Sequence, residues 1–596
     1  MSSNVLAPPL ADCRAAATPP VPPPHTTTEQ WSSRVEADAM GLSGFPKIAR
    51  RGIGKIQFRR RAAPAAQRAL YPRRMSFTLT TPLYYVNDRA HLGSAYTTLA
   101  CDAIARYQRL KGEQVVFITG CDEHGQKIQR TAEAQGLSPQ AHCDGVSEGY
   151  RQLWNHWQIS NDRFVRTTDP RHREIVQQFF KRVEANGDVV EGRQQGWYCV
   201  ACEEFKDDPA EASAPHCAIH QKALEWRDEL NLFFRLSRYQ QQIEALIAKP
   251  GFIAPSSRKK EVENFVAQGL RDFSISRVDL PWGISVPGHP GHTFYVWFDA
   301  LLGYLTALLD PNEEPDLALV NDRGWPAQLH VIGKDILRFH AVYWPAMLLS
   351  AGLPLPERVF GHGFLTREGQ KMGKSLGNVL DPESLLEHCG RDAVRWYLLR
   401  DIPFGDDGDF QQQRFSDLVN NDLANTIGNL LNRTSSMARR WFNDAVPPVP
   451  GGVAATHPLA VAALRAGEQF IRAMDLLDFR CAAEACLHLA ITTNGYLNDQ
   501  APWKLMKQEG NELQVGSDLY AVLEATRWVA VLLAPLVPEL SDRMLQQLGQ
   551  VPFASSESLG GPSAWLAAQY WGGLQPGLAL PEPQPVMQRL ELEAPL

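Results

Sequence analysis

A cluster of cysteine and histidine residues has the spacing of a metal site. Cys199 and Cys202 are followed, after fourteen residues, by Cys217 and His220. Two such pairs predict one tetrahedral zinc site. His216 is an alternative ligand, but Cys217 and His220 preserve the pair spacing. Four protein ligands leave no open position for a substrate, so the predicted zinc is structural.

A second group of residues could bind a nucleotide. His91, Leu92, Gly93 and Ser94 open a predicted helix directly after a strand. Backbone N–H groups and the helix dipole favour a bound phosphate at such a position. Gly93 would allow close approach to the backbone, and His91 could donate to phosphate oxygens. A chance occurrence of His and Gly at a strand–helix junction is the alternative interpretation.

A third segment, Lys371-Met372-Gly373-Lys374-Ser375, follows a later strand. Its two lysines could stabilise a pyrophosphate leaving group. The alternative is an exposed charged turn. The two segments are more informative together, since they lie near opposite ends of one predicted domain.

The elements that must position these residues alternate between strand and helix. The pattern predicts strands at 77–86, 114–119, 329–332 and 358–365, and helices at 93–110, 126–135 and 335–350. Another helix is expected after Asp381, with Asp381 as N-cap and Pro382 at the first position. This order predicts an α/β fold with a doubly wound, Rossmann-like parallel sheet.

Changes in pattern predict the domain boundaries. We expect a catalytic domain in two halves, 75–187 and 291–410, separated by a connective insert at 188–290 that carries the Cys/His cluster. Residues 411–555 have helical periodicity and predict an α-helical bundle. A Gly/Pro-rich tail at 556–596 is expected to be extended.

Residues 1–74 differ in composition from the rest. They contain twelve Lys/Arg and four Asp/Glu, whereas the whole chain has a formal net charge of −7. The segment is predicted to lack fixed structure. It is either a transit peptide, which would imply organellar import, or sequence upstream of a true start at Met75. The second is favoured because no amphipathic pattern runs through it.

Composition excludes several classes of protein. The net charge argues against a uniformly basic nucleic-acid binder, though not against a local basic patch. Ten cysteines in 596 residues do not form a disulfide scaffold. A membrane protein is not expected, because no run of about 18 apolar residues occurs.

The two nucleotide segments resemble the class I aminoacyl-tRNA synthetases. His91 and Gly93 match their first motif, usually His-x-Gly-His, and Lys371 to Ser375 match the second, usually Lys-Met-Ser-Lys-Ser. Ser94 replaces the second histidine and Gly373 replaces the first serine. The resemblance implies ATP binding by His91, Gly93, Ser94, Lys371, Lys374 and Ser375, with His91, Lys371 and Lys374 catalytic.

Further matches over about 76–550 resemble the methionyl-tRNA synthetases. The resemblance implies a methionine pocket formed by Leu83, Tyr85, Asp122, Trp297, Ala300, Tyr304, Ile336 and His340. Asp122 would hold the substrate ammonium, and Tyr and Trp would contact the polarizable thioether. This family also has a zinc knuckle in its insert. The insert here has no room for an editing domain.

The helical region resembles the anticodon-reading surface of the same family. The resemblance implies that Trp503 stacks on an unpaired base and that Asn429 and Arg433, spaced i and i+4, supply donors. Ordinary capping and packing is the alternative for these residues.

The function implied by the resemblance is ligation of L-methionine to tRNA(Met) through a methionyl-adenylate, with magnesium accompanying ATP. A cytoplasmic monomer is expected, because no further C-terminal dimerisation domain is recognised. Two alternatives are a cysteinyl-tRNA synthetase, which holds zinc in its active site, and a catalytically silent tRNA-binding scaffold, suggested by Ser94 and Gly373.

Overall fold

A computed structural model describes residues 76–200, 203–206, 215–217, 222–278, 280–372, 378–553 and 564–591. The predicted extension at 1–74 lies outside these residues. In the described residues, no helix is both long and apolar enough to cross a membrane.

The strands and helices follow one another in the order expected of an α/β domain with a helical continuation. The strands are β1 Phe77–Tyr85, β2 Val115–Asp122, β3 Arg163–Arg166, β4 Val189–Cys199, β5 Glu204–Lys206, β6 Glu225–Phe234, β7 Ile253–Ala254, β8 Phe273–Ser274, β9 Ser276–Val278, β10 His292–Phe294, β11 Leu329–Gly333, β12 Val359–His362, β13 Leu365–Arg367, β14 Gln370–Lys371 and β15 Gly408–Phe410. The helices are α1 Leu92–Lys111, α2 Gln126–Ala134, α3 Pro139–His156, α4 Pro170–Ala185, α5 Gln240–Ala248, α6 Ser256–Val266, α7 Val296–Ala300, α8 Gly303–Thr306, α9 Trp344–Ser350, α10 Pro382–Cys389, α11 Arg391–Arg400, α12 Gln412–Leu418, α13 Asn429–Trp441, α14 Pro458–Leu476, α15 Phe479–Gln500, α16 Pro502–Leu505, α17 Glu512–Leu533, α18 Pro538–Gln547 and α19 Ala564–Ala568.

The central sheet is six-stranded, with the order β3-β2-β1-β11-β12-β7. Every neighbouring pair in it is parallel. This confirms the predicted Rossmann-like fold, in which ligands bind beyond the carboxyl ends of the strands where the strand order reverses. Here that point lies between β1 and β11.

Both faces of the sheet are covered. Along β2, Phe117 belongs to the core that continues into the helical region, whereas Ile118 belongs to the core on the opposite face. Val331 and Ile332 on β11 divide in the same way. The alternation places successive side chains on opposite faces, as strand geometry requires.

Helix α1 is defined sharply at both ends. Gly112 ends it with a left-handed conformation at φ 95°, and its N–H bonds to the carbonyl of Arg109. Within the helix, Asp102 accepts from Arg395 of α11 at 2.6 Å, and Arg395 also donates to the carbonyl of Leu536 at 2.7 Å. The helix that opens at the nucleotide motif is therefore anchored to the helical region.

The helix predicted at 335–350 is helical throughout, but it is not one regular α-helix. The chain instead forms a 3-10 turn at Lys334–Ile336, a π-helical turn at Phe339–Tyr343 and then α9. Pro345 explains the irregularity, because it has no N–H to bond the carbonyl four residues earlier. Wide turns of this kind are frequent at functional sites.

The strand predicted at 358–365 is also wrong as a single element. It divides into β12, in the central sheet, and β13, in a three-stranded sheet ordered β14-β13-β15. A Cβ atom at Gly363 would lie 2.2 Å from backbone atoms of Asp406. The close approach of these two segments redirects the chain between the two strands.

The region predicted as an insert contains a four-stranded antiparallel sheet, ordered β5-β4-β6-β8. It also contains β7, where Ile253 and Ala254 pair with Val359 and Phe360 of β12. Residues 188–290 are therefore not a wholly separate insert, because within this range the chain contributes β7 to the central sheet and then leaves the sheet again. Beyond β15 the described residues form helices, loops and an isolated β-bridge between Ala445 and Ala579, in agreement with the helical domain predicted at 411–555. The prediction of an extended tail at 556–596 is wrong in part, because this range contains α19 with the buried Trp565.

Candidate active site

The carboxyl ends of β1 and β2 bring two predicted methionine-pocket residues together. Tyr85, the last residue of β1, is the cross-strand partner of Asp122, the last residue of β2. Leu83, two residues before Tyr85, packs so closely on Gly303 that a Cβ there would lie 2.4 Å from its Cδ1 atom. The pocket therefore begins where the fold predicts a ligand site.

An aromatic group forms the next part of the wall. The rings of Trp297 and Phe339 stack with centroids 4.0 Å apart and an interplanar angle of 9°. Tyr304 is buried on the short helix α8, beyond buried Ala300 of α7. Phe339 was not among the predicted residues, and it lies at the start of the π-helical turn.

Tyr304 and His340 are linked by a hydrogen bond of 2.8 Å. Nδ1 of His340 donates to the carbonyl of Ile336 at 3.1 Å, so Nε2 accepts from the Tyr304 hydroxyl. Burial lowers the pKa of His340 to about 4. The neutral ring is therefore fixed in one tautomer, with Ile336 held close to it.

Asp122 differs from these partnered groups. Its carboxylate is buried, and Oδ1 has no hydrogen-bond partner in the described part of the chain. Burial, with the nearby charges of Asp299 and Glu203, raises the pKa of Asp122 well above its usual value. A bound cation would relieve this unfavourable environment.

A buried carboxylate–histidine cluster supports the same wall. Asp299 accepts from His124 and His172, each at 2.6 Å. Burial raises the pKa of Asp299, but the two histidines outweigh it and hold the value at about 2. His124 lies two residues after Asp122, so its proximity to a predicted pocket residue could be inferred from the sequence. The contact with His172 was not detectable.

In the first nucleotide motif, the side chain of His91 makes hydrogen bonds with the backbone of the same motif. Nδ1 of His91 accepts from the N–H groups of Gly93 at 3.0 Å and Ser94 at 3.3 Å, and His91 is thus the N-cap of α1. Its side chain is exposed, although partial desolvation lowers its pKa. The N–H groups predicted to bind phosphate therefore already have a partner. Ser94 is buried, and its carbonyl accepts from Tyr84 and Thr98.

A histidine outside the predictions joins α1 to the neighbouring strand end. Nδ1 of His362, the last residue of β12, donates to the carbonyl of Gly363 at 2.7 Å, and Nε2 accepts from Thr97 at 2.8 Å. Burial lowers the pKa of His362 to about 4.

The second nucleotide motif is described only at its start. Lys371 ends β14, whose partner strand β13 follows closely after β12. Gly373, Lys374 and Ser375 lie outside the described residues.

Half of the predicted zinc ligands can be located. The thiols of Cys199 and Cys217 are both buried and form one small cluster with Leu224. Cys202 and His220 lie outside the described residues. Among the described residues, no group of three or more His, Cys, Asp or Glu side chains is arranged so that it could hold a metal ion. Two neighbouring buried thiols fit a zinc donor set.

Two of the three predicted anticodon residues lie together. The Arg433 guanidinium lies 5.6 Å from the centre of the Trp503 ring, and it donates to Asn498 at 3.2 Å. Asn429 is exposed one helical turn before Arg433 on α13. Asn498 is a fourth polar group on this surface.

Comparisons with protein families agree with this arrangement. Residues 77–210 and 206–435 match the family described as "tRNA synthetases class I (M)". Residues 451–589 match the family described as "Anticodon binding domain of methionyl tRNA ligase".

Individual proteins are similar over nearly the same range. A methionine–tRNA ligase of Synechocystis is 54% identical over 530 residues, which cover 87% of this chain and 98% of the relative. A chloroplastic/mitochondrial methionine–tRNA ligase of Arabidopsis thaliana is 48% identical, covering 87% of this chain and 83% of the relative. A methionyl-tRNA synthetase of Mycobacterium tuberculosis, solved with methionyl-adenylate, has a TM-score of 0.80 at 39% identity. It covers 86% of this chain and 99% of that one.

Proposed function

The chain belongs to the class I methionyl-tRNA synthetase family, and from this we propose which of its residues carry out the ligation of methionine to tRNA. The enzyme joins the methionine carboxylate to the α-phosphate of ATP, with release of pyrophosphate. It then transfers the methionyl group to the 3′ end of tRNA(Met).

We propose that Asp122 binds the methionine ammonium, and the assignment of the methionine pocket depends mainly on this role. Its unpartnered Oδ1 is buried beside Tyr85, and burial together with the charges of Asp299 and Glu203 raises the pKa of Asp122. Leu83, Tyr85, Trp297, Ala300, Tyr304, Ile336 and His340 would enclose the side chain. The stacked Trp297 and Phe339 rings support this role, since a thioether gains from aromatic contacts.

Adenylate formation is proposed to depend on positioning and charge. His91 and Lys374 would stabilise negative charge on the phosphates, and Lys371 would assist them. Gly93, Ser94 and Ser375 would lie beside the nucleotide. Magnesium bound with ATP would supply further positive charge there. Because His91 Nδ1 accepts from the Gly93 and Ser94 N–H groups, a phosphate bound by these groups would replace that contact.

Zinc is proposed to crosslink the insert through Cys199, Cys202, Cys217 and His220. The proximity of the Cys199 and Cys217 thiols supports it. Such a site stabilises a small sheet that has a limited core of its own. Metal analysis of the purified protein should give one zinc ion per chain.

The anticodon surface is proposed to consist of Asn429, Arg433 and Trp503, with Asn498 added by the structure. A guanidinium beside the half-buried Trp503 indole offers both donors and a stacking face for an unpaired base. A monomer in the cytoplasm is proposed as the functional form, with residues 1–74 not required for catalysis.

Amino-acid-dependent exchange of labelled pyrophosphate into ATP tests the proposed site. All twenty amino acids are compared, without tRNA. We expect exchange with methionine alone. Exchange with another amino acid would overturn the pocket assignment, whereas no exchange from folded, zinc-loaded protein would support a non-catalytic scaffold.

A further inference from the structure

Glu203 is a buried carboxylate in the insert that none of the assigned roles uses. It lies between β4 and β5, one residue after the predicted zinc ligand Cys202, and it is 5% exposed. Its φ is 55°, in the left-handed region that residues other than glycine seldom adopt. Such a conformation persists where surrounding contacts hold it.

The contacts of Glu203 reach three separate segments. Oε1 accepts from the Tyr85 hydroxyl at 3.1 Å and from the backbone N–H of Lys127 at 2.8 Å. Oε2 accepts from Tyr198 at 2.8 Å. Glu203 therefore links Tyr198 of β4 to the end of β1 and to the start of α2.

Glu203 also supplies what the start of α2 lacks. The N-cap of α2 is Gly125, which has no side chain to accept from the first turn. Lys127 is the second residue of that helix, and a carboxylate at this end interacts favourably with the helix dipole. Glu203 thus caps a helix from 76 residues away.

The junction is tightly packed. A Cβ atom at Gly125 would lie 2.7 Å from the Tyr85 hydroxyl and 2.9 Å from Oε1 of Glu203, and Gly125 has a φ of 112°. The ammonium group of Lys127 lies 5.4 Å from the centre of the Tyr85 ring. A shift of Glu203 would therefore be transmitted to Tyr85 and to the turn that follows Asp122.

We propose that Glu203 is a positioning residue for the methionine pocket: it fixes the Tyr85 hydroxyl and the Asp122–Gly125 turn from within the insert. It does not touch the substrate. The inference rests on the proposed roles of Tyr85 and Asp122, and it gives the insert a function in amino-acid binding as well as in structure.

Pyrophosphate exchange with separate titrations of methionine and ATP tests this role. Glu203→Ala should raise KM for methionine about tenfold, the loss of roughly one charge-assisted hydrogen bond. KM for ATP and kcat should stay within about twofold. Glu203→Gln should recover most of the methionine affinity, because its amide keeps an acceptor. Glu204→Gln is the matched control, since Glu204 pairs with Lys206.

A double-mutant cycle separates positioning from general stability. Tyr85→Phe and Glu203→Ala should be strongly non-additive in KM for methionine, since each removes the same contact. Zinc content is measured in every variant and should equal that of the wild type. Additive effects, an unchanged KM in Glu203→Ala, or a KM that rises only as zinc is lost would each overturn the proposal.

Two further outcomes distinguish a failure of the Glu203 role from a failure of folding or of the proposed function. If Glu203→Ala does not fold, Tyr85→Phe removes the same hydrogen bond from the other side. It should then raise KM for methionine while zinc content stays unchanged, and an unchanged KM would overturn the proposal. If the wild-type protein exchanges with methionine but the cycle is additive, the proposed function stands and only the role of Glu203 fails.

Discussion

The proposed methionine pocket and the proposed nucleotide end of the site differ in the contacts that their residues make within the protein. In the pocket, Tyr304, His340 and Ile336 are joined by hydrogen bonds, and Trp297 is stacked on Phe339. At the nucleotide end, His91 occupies the N–H groups that a phosphate would bind. We therefore propose that the methionine pocket is preorganised and that phosphate binding at the nucleotide end replaces an internal contact.

This contrast follows from burial. A side chain in a packed wall can be fixed by neighbours from several elements, as Tyr304 is. An exposed helix start must satisfy its N–H groups locally, and the nearest acceptor is the motif's own histidine. We therefore expect substitutions in the two regions to change different kinetic parameters.

The largest effect is expected at His91. Both His91→Asn and His91→Ala should lower kcat for exchange by on the order of 100-fold, since each removes a group that stabilises phosphate charge. Asparagine caps helices well and alanine does not. Only His91→Ala should therefore lower the apparent melting temperature. Equal melting temperatures for the two variants would show that the His91 cap at α1 contributes nothing to the stability of the protein.

A second large effect is expected at Asp122. Asp122→Asn should raise KM for methionine on the order of 100-fold, because it leaves a buried ammonium without its charge partner. KM for ATP should change little. Asp322→Asn, at an exposed position of the same domain, serves as the control. If KM for methionine and KM for ATP rose together, the result would show that Asp122 contributes to the folding of the domain and not specifically to methionine binding.

A smaller effect concerns pH. The pKa of His340 is about 4 when folded, against about 6.5 for an unperturbed histidine. Between these values the unfolded chain binds a proton that the folded chain does not, so stability falls as pH drops from 6.5 to 4. His340 should contribute up to roughly 3 kcal/mol to this loss. Melting curves of His340→Gln should show a shallower decline, and a slope equal to the wild type would contradict it.

Local sequence patterns predicted much of the fold. Gly112 placed the end of α1 within one residue, and Asp381 with Pro382 placed the start of α10, where Asp381 accepts from Ser384. The two-residue strand β7 has too little pattern to be recognised. Pro345 is a sequence signal that the helix at 335–350 is not a regular α-helix.

The site residues were predicted mainly from the resemblance of separate sequence segments to the methionyl-tRNA synthetases. Tyr85 and Asp122 do lie side by side. The role of Glu203 was not predictable, because it depends on a contact between residues 118 positions apart. The self-capping of His91 was also missed. The motif indicates that a phosphate can bind there, and it does not indicate what occupies the N–H groups beforehand.

Calorimetric titration of methionine in the absence of ATP tests the central comparison most directly. A preorganised pocket predicts saturable binding of one methionine per chain. This affinity should be unchanged in His91→Asn and lost in Asp122→Asn. Methionine binding that requires ATP, or that survives in Asp122→Asn, would contradict the account.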